Sequence, residues 1–87
     1  MSNINEIKKL LEEGKLVIGA DRTIKNLKEG KTAKVFLASN PGDELRGDVE
    51  HYAEIAGVEV VQLDVPNDEL GVICKKQFSI AVLSTNK

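Results

Sequence analysis

The sequence predicts a three-layer α/β/α sandwich built on a four-stranded mixed sheet. Segments of helical period alternate with short apolar or β-branched runs along the whole chain. Gly14, Gly30 and Gly57 each follow a helical segment and precede such a run, the usual helix stop. Every strand-to-strand connection also contains a helix-length segment, which suits crossovers rather than hairpins. A chain of 87 residues has room for one core, so residues 1–87 are expected to form a single domain.

The first helix is expected over Asn3 to Glu13, with Ile4, Ile7, Leu10 and Leu11 on one stripe. Asn3 can cap it, with Glu6 in the reciprocal place three residues on. Lys15 to Gly19 reads as a short buried strand. A second helix follows over Asp21 to Glu29, turning Ile24 and Leu27 inward and Arg22, Lys25 and Lys28 outward. Lys34 to Ser39 is the second strand, closed by the turn Asn40-Pro41-Gly42-Asp43. The third helix runs from Glu44 to Ala56, with Leu45, Val49, Tyr52, Ala53 and Ala56 at helical spacing. Val58 to Leu63 is the third strand. A short helix begins near Asn67, anchored mostly by Leu70, Val72, Ile73 and Cys74, and Phe78 to Ser84 is the fourth strand.

Composition removes several function classes. Apolar residues make up 41% and charged residues 30%, ordinary for a soluble domain. Cys74 is the only cysteine, so neither an internal disulfide nor a thiolate cluster can form, and its apolar neighbours suit a buried thiol. The N-terminal stretch lacks a basic start followed by an apolar run, unlike a signal peptide. No apolar run approaches a membrane span. The expected setting is the cytoplasm, with no membrane partner.

Net charge is −2, which argues against indiscriminate nucleic-acid binding, but the charge is polarised. Residues 1–39 carry eight Lys/Arg against five acids, whereas residues 40–74 carry only Arg46 against nine. Blocks of this kind let one face be cationic and another anionic.

Little in the chain looks catalytic. Residues 19–30 follow a strand and open a helix, but lack both the G-x-G-x-x-G spacing and the G-K-[ST] ending of phosphate-binding loops. His51 is the only histidine and lies mid-helix with no serine or cysteine near it in sequence. Asp43, Glu44, Asp48, Glu50 and Glu54 read as the solvated face of the third helix, since no histidine–carboxylate spacing accompanies them. Tyr52 falls on the apolar stripe. No enzyme activity, cofactor or metal is expected.

Three stretches remain, each at the carboxyl end of a strand, where loops converge and helix N-termini present free N–H groups. They are Gly19-Ala20-Asp21-Arg22 leading to Lys25 and Lys28, Ser39-Asn40-Pro41-Gly42, and Val65-Pro66-Asn67. Each also has a plain reading as turn chemistry, with Asp21 and Asn67 as caps and Asn40-Pro41-Gly42 as a turn.

These segments carry a resemblance. Gly19 to Lys25 resembles the glycine-opened basic junction of the kink-turn RNA-binding ribosomal proteins. VFLASN (35–40), DVEHYAEIAGVEVV (48–61) and ELGVIC (69–74) resemble their second strand, third helix with third strand, and last helix. Order and spacing match from about Ile4 to Leu83, and Tyr52-Ala53 with ELGVIC favours the large-subunit L-thirty-e branch over its seven-A-e cousins. The resemblance implies a non-enzymatic binder of a sharply bent, kink-turn RNA such as ribosomal RNA, beside other ribonucleoprotein components, in a protein that is monomeric when free. By position, Gly19 would let the backbone approach RNA, with Ala20 and Asp21 beside it in the interface and Arg22, Lys25 and Lys28 facing phosphates. Asn40 would offer amide hydrogen bonds, and Val65, Pro66 and Asn67 would lie against unstacked bases. The chain departs from the pattern at Asp21, where a basic or amide residue is usual, at Asp68, usually apolar, and at Lys75, often glycine. An alternative is a protein-interaction module on the same fold that has lost or altered RNA binding and uses its acidic face.

Overall fold

The computed structural model describes residues 3–86. Its elements alternate in the expected order: α1 (Asn3–Glu12), β1 (Leu16–Ile18), α2 (Ala20–Lys28), β2 (Thr32–Leu37), α3 (Asp43–Ala56), β3 (Glu59–Gln62), α4 (Asn67–Ile73) and β4 (Val82–Asn86). The strands form one mixed sheet in the order β1-β4-β2-β3. β2 pairs with β3 in parallel, and β4 runs antiparallel to both β1 and β2. β1, β2 and β3 therefore point the same way, and only β4 is reversed.

Helices cover both faces of the sheet, and the side-chain alternation of the central strand β2 explains how. Phe36 and Ala38 enter one core with Ile7 of α1 and Leu70 and Cys74 of α4. Val35 and Leu37 enter the other with Leu27 of α2 and Val49 and Ala53 of α3. Residues 35–38 are all fully buried, as expected of a strand covered on both faces. Burying a side chain the size of Phe36 contributes roughly 1.5–3 kcal/mol.

The structure corrects several local expectations. The first strand is not buried: β1 lies at the sheet edge and is only half-covered. The fourth strand starts at Val82, not Phe78. Residues 78–81 are a loop in which Ile80 is buried but Phe78 is 59% exposed. This loop closes on α4, where the Phe78 carbonyl occupies the space a Cβ at Gly71 would need. Val72 faces solvent, so the α4 anchors are Leu70 and Cys74, one turn apart, with Ile73 half-buried.

The helix ends differ too. Asp21 is not a cap: Gly19 holds that position, with no side-chain cap bond. Asn67 is not a cap either, because Pro66 precedes it there. The Asn3 side chain, expected to cap α1, lies outside the described residues. Glu6, its expected partner, faces Lys34 instead, with Nζ donating to Oε2 at 3.3 Å.

Candidate nucleic-acid interface

Because β1, β2 and β3 are co-directional, their carboxyl ends share one edge of the sheet. The three junctions singled out in the sequence therefore meet there. The reversed strand β4 enters from the same edge, which adds the 78–81 loop that sequence reasoning had placed inside a strand. Phe78 and Ile80 are strand-forming residues, so no local signal in residues 78–81 marks the loop.

At the first junction Gly19 takes φ +115°, and at the second Gly42 takes φ +91°, conformations that side-chain-bearing residues rarely adopt. Each glycine is the residue preceding a helix, α2 or α3, and neither helix has a side-chain oxygen on its first turn from that position. Serine, threonine or asparagine there would normally supply one. The first-turn N–H groups of both helices are thus left to an outside acceptor, and the helix dipoles favour an anionic one. A Cβ at either glycine would meet nothing within 4 Å, so the approach is open.

Two hollows lie at this edge and another lies along the side of β1. One, of about 480 Å³, is lined by Leu16, Ile18, Gly19, Arg22, Lys76 and Phe78. It joins the exposed ring of Phe78 to two cations, and its size falls within the range of about 300–1,000 Å³ typical of ligand clefts. A second, beside the open edge of β1, places Arg22 and Lys25 with Lys31, which is paired with Glu29 at 3.3 Å. The third is acidic and lies between the starts of α2 and α3, where Ala20 and Asp21 meet Pro41, Gly42, Asp43, Glu44 and Asp48. No three His, Cys, Asp or Glu residues among those described form a group that could hold a metal ion.

The structure does not bring all the expected cations together. Arg22 and Lys25 flank β1. Lys28 ends α2, about 13 Å along the helix from Gly19 at 1.5 Å per residue. There its Nζ lies 4.9 Å from the centre of the Tyr52 ring, a cation–π contact with α3.

The second and third junctions are bonded to each other. The Ser39 N–H donates to the Val65 carbonyl at 2.8 Å, and the Asn67 N–H donates to Asn40 Oδ1 at 2.8 Å. Nearby, the Gln62 amide donates to the Ala38 carbonyl at 2.8 Å and accepts from Arg46 at 2.6 Å. Asp21 is exposed, and so is Asp68, whose Oδ1 accepts from the Glu69 N–H.

The family model described as ribosomal protein L7Ae/L30e/S12e/Gadd45 matches residues 2–87. The chain belongs to this family. Within the L7Ae/L30e family its relatives include the large ribosomal subunit protein eL30 of Sulfurisphaera tokodaii, 39% identical over 91% of this chain and 74% of the relative. The eL30 protein of Methanocaldococcus jannaschii is 38% identical over 88% of this chain and 70% of its own length. Both are named as ribosomal proteins and neither as an enzyme. Among solved structures, the Giardia lamblia 15.5 kD RNA-binding protein superposes with a TM-score of 0.78 at 25% identity, over 97% of this chain and 70% of that one. A Bacillus halodurans protein of unknown function superposes with a TM-score of 0.86 at 15% identity, covering 97% and 83%. That second likeness is one of fold alone. The expected L7Ae/L30e membership and mixed-sheet α/β fold both stand.

Proposed function

We propose that this L7Ae/L30e-family chain is a non-enzymatic, RNA-binding component of the large ribosomal subunit type, gripping a kink-turn or similar internal-loop RNA. The observation that carries the reading is the convergence on one sheet edge of three strand-to-helix junctions, two helix N-termini without side-chain caps, unpaired cations and an exposed aromatic ring. Most of these parts suit bent RNA. The uncapped N–H groups after Gly19, with Arg22 and Lys25, hold phosphates, whereas the start of α3 at Gly42 is ringed by carboxylates. Ala20, small and half-buried, lets the strand pass close. Asn40, Val65, Pro66 and Asn67 meet splayed bases, and Phe78 offers a stacking surface beside Arg22 and Lys76. Lys28 makes an outer phosphate contact from the far end of α2. The names of the eL30 relatives and of the Giardia protein support the same reading. One domain, residues 1–87, does this as a monomer when free, without a cofactor, and works in the cytoplasm within the ribosome beside other components of the particle.

The test is binding to a kink-turn RNA and to a mutant of it that cannot bend, across a salt series. Preference for the bent RNA at every salt concentration is the expected outcome. Equal affinity for both sinks the reading, and salt-sensitive association with basic proteins instead would favour the acidic face of α3 as the working surface.

A further inference from the structure

We propose that Asn40 is a positioning residue: by holding the Asn67 amide, its side chain sets the Val65–Asn67 segment and Phe78 in one fixed register for RNA. This rests on the RNA-binding reading above and assigns Asn40 a task inside the protein as well as any contact outside it.

Asn67 is gripped at both of its backbone polar groups. Its N–H donates to Asn40 Oδ1 at 2.8 Å, and its carbonyl accepts from the Ile80 N–H at 2.9 Å. The first partner belongs to the second junction, and the second partner to the loop that carries Phe78. α4 cannot supply this grip itself, because the residue before it is Pro66, which has no side-chain acceptor, and no side-chain cap is formed there. Without Asn40 the Asn67 N–H would be an orphan of the first helical turn. A parallel bond from the Ser39 N–H to the Val65 carbonyl keeps the two junctions side by side.

Phe78 is the far end of this relay. Its carbonyl packs where a Cβ on Gly71 would stand, so the Phe78 backbone must follow α4. Ile80, two residues on, is buried and bonded to Asn67. A shift at Asn67 is thus passed to the exposed ring of Phe78 through rigid backbone contacts.

The amide of Asn40 is also oriented by this bond. A backbone N–H can only donate, so Oδ1 must face Asn67 and Nδ2 must face away. Aspartate at this position keeps the acceptor and the clamp, and alanine removes both.

The experiment combines Asn40→Ala, Asn40→Asp, Phe78→Ala and the Asn40→Ala/Phe78→Ala double variant. Affinity for the bent RNA is measured at low and high salt, and amide exchange of Asn67 and Ile80 is followed in the free proteins. Asn40→Ala should speed exchange at both amides and weaken binding by about tenfold, the size of a lost cap. The double variant should lose clearly less than the product of the two single losses, because a misplaced ring has less left to lose. Asn40→Asp should keep slow exchange, with a binding deficit that shrinks at high salt but does not vanish, since its charge opposes RNA and the Nδ2 donor is lost. Unchanged exchange in Asn40→Ala, multiplicative losses, or an Asn40→Asp as weak as Asn40→Ala at high salt would each overturn the proposal. Those results with a wild type that prefers bent RNA remove this inference alone. A wild type without that preference removes the RNA-binding reading, and this inference with it.

Discussion

Asp68 is where helix physics and RNA binding pull in opposite directions. In the first turn of α4 its charge suits the helix dipole, and its Oδ1 accepts from the Glu69 N–H at 2.8 Å. At an RNA face the same charge repels phosphate by about 1 kcal/mol near the surface. Asp68→Leu should therefore tighten binding to the bent RNA by roughly fivefold at low salt, measured by titration, with the gain fading as salt rises. Lys75 shows a second local conflict. It takes φ +60° just past α4, the left-handed region in which a Cβ is disfavoured, so a side chain here has a cost. Lys75→Gly should raise stability by roughly 0.5–1 kcal/mol in denaturant unfolding. The fold changes the proton affinity of Cys74. Burial pushes its thiol above the ordinary value of 9.0, and the charge of Lys76 pulls it back in part. A raised pKa means the folded state favours the protonated thiol, so this stability is complete below pH 9.0 and is lost as pH rises through the folded value. Wild type should lose stability relative to Cys74→Ala above that pH in unfolding experiments, and should resist thiol reagents near neutrality while folded.

α2 is tied to the sheet by a buried pair. Thr23 donates from Oγ1 to Ser84 Oγ at 3.1 Å, and both residues are fully buried. The pair connects the helix that carries Arg22 and Lys25 to the central strand β4. Thr23→Val strands the Ser84 hydroxyl and should cost about 1–3 kcal/mol. The Thr23→Val/Ser84→Ala double variant should cost less than the sum of the singles in the same unfolding assay. Neither residue was marked in the sequence reading, because a lone threonine on a polar-looking helix and a serine in a strand carry no periodic signal. What periodicity could reveal, it did: Ile24 and Leu27 inward, Arg22, Lys25 and Lys28 outward, and Val49 and Ala53 buried in α3. The start of β4 was misplaced by four residues because Phe78 and Ile80 resemble strand residues, and only tertiary contact decides that the chain bends there. Asn40 was legible as a polar turn residue, but its bond to Asn67 joins positions far apart in sequence.

For the whole molecule, charge polarity is legible in the sequence, whereas the meeting of three junctions at one edge follows only from the sheet order. Co-direction of β1, β2 and β3 is what turns separate turns into a face. That face should bind RNA with a salt dependence set by its cations. Arg22→Ala and Lys25→Ala should each lower the slope of log affinity against log salt by about one unit. Lys28→Ala should change it less, because its ammonium lies over Tyr52. Titrations at four or five salt concentrations would measure the slopes.

The position of β4 also decides when this protein can exist. β1 has no neighbour in the sheet except β4, and β4 is the last of the four strands to be made. Until it leaves the ribosome, β1 waits without a partner and the parallel pair of β2 and β3 has an open flank. Completion of the sheet thus waits for β4 to be made, and it is slow because β4 joins strands distant from it in sequence. A nascent chain stalled before Val82 should remain open to protease, and release of the last strand should close it.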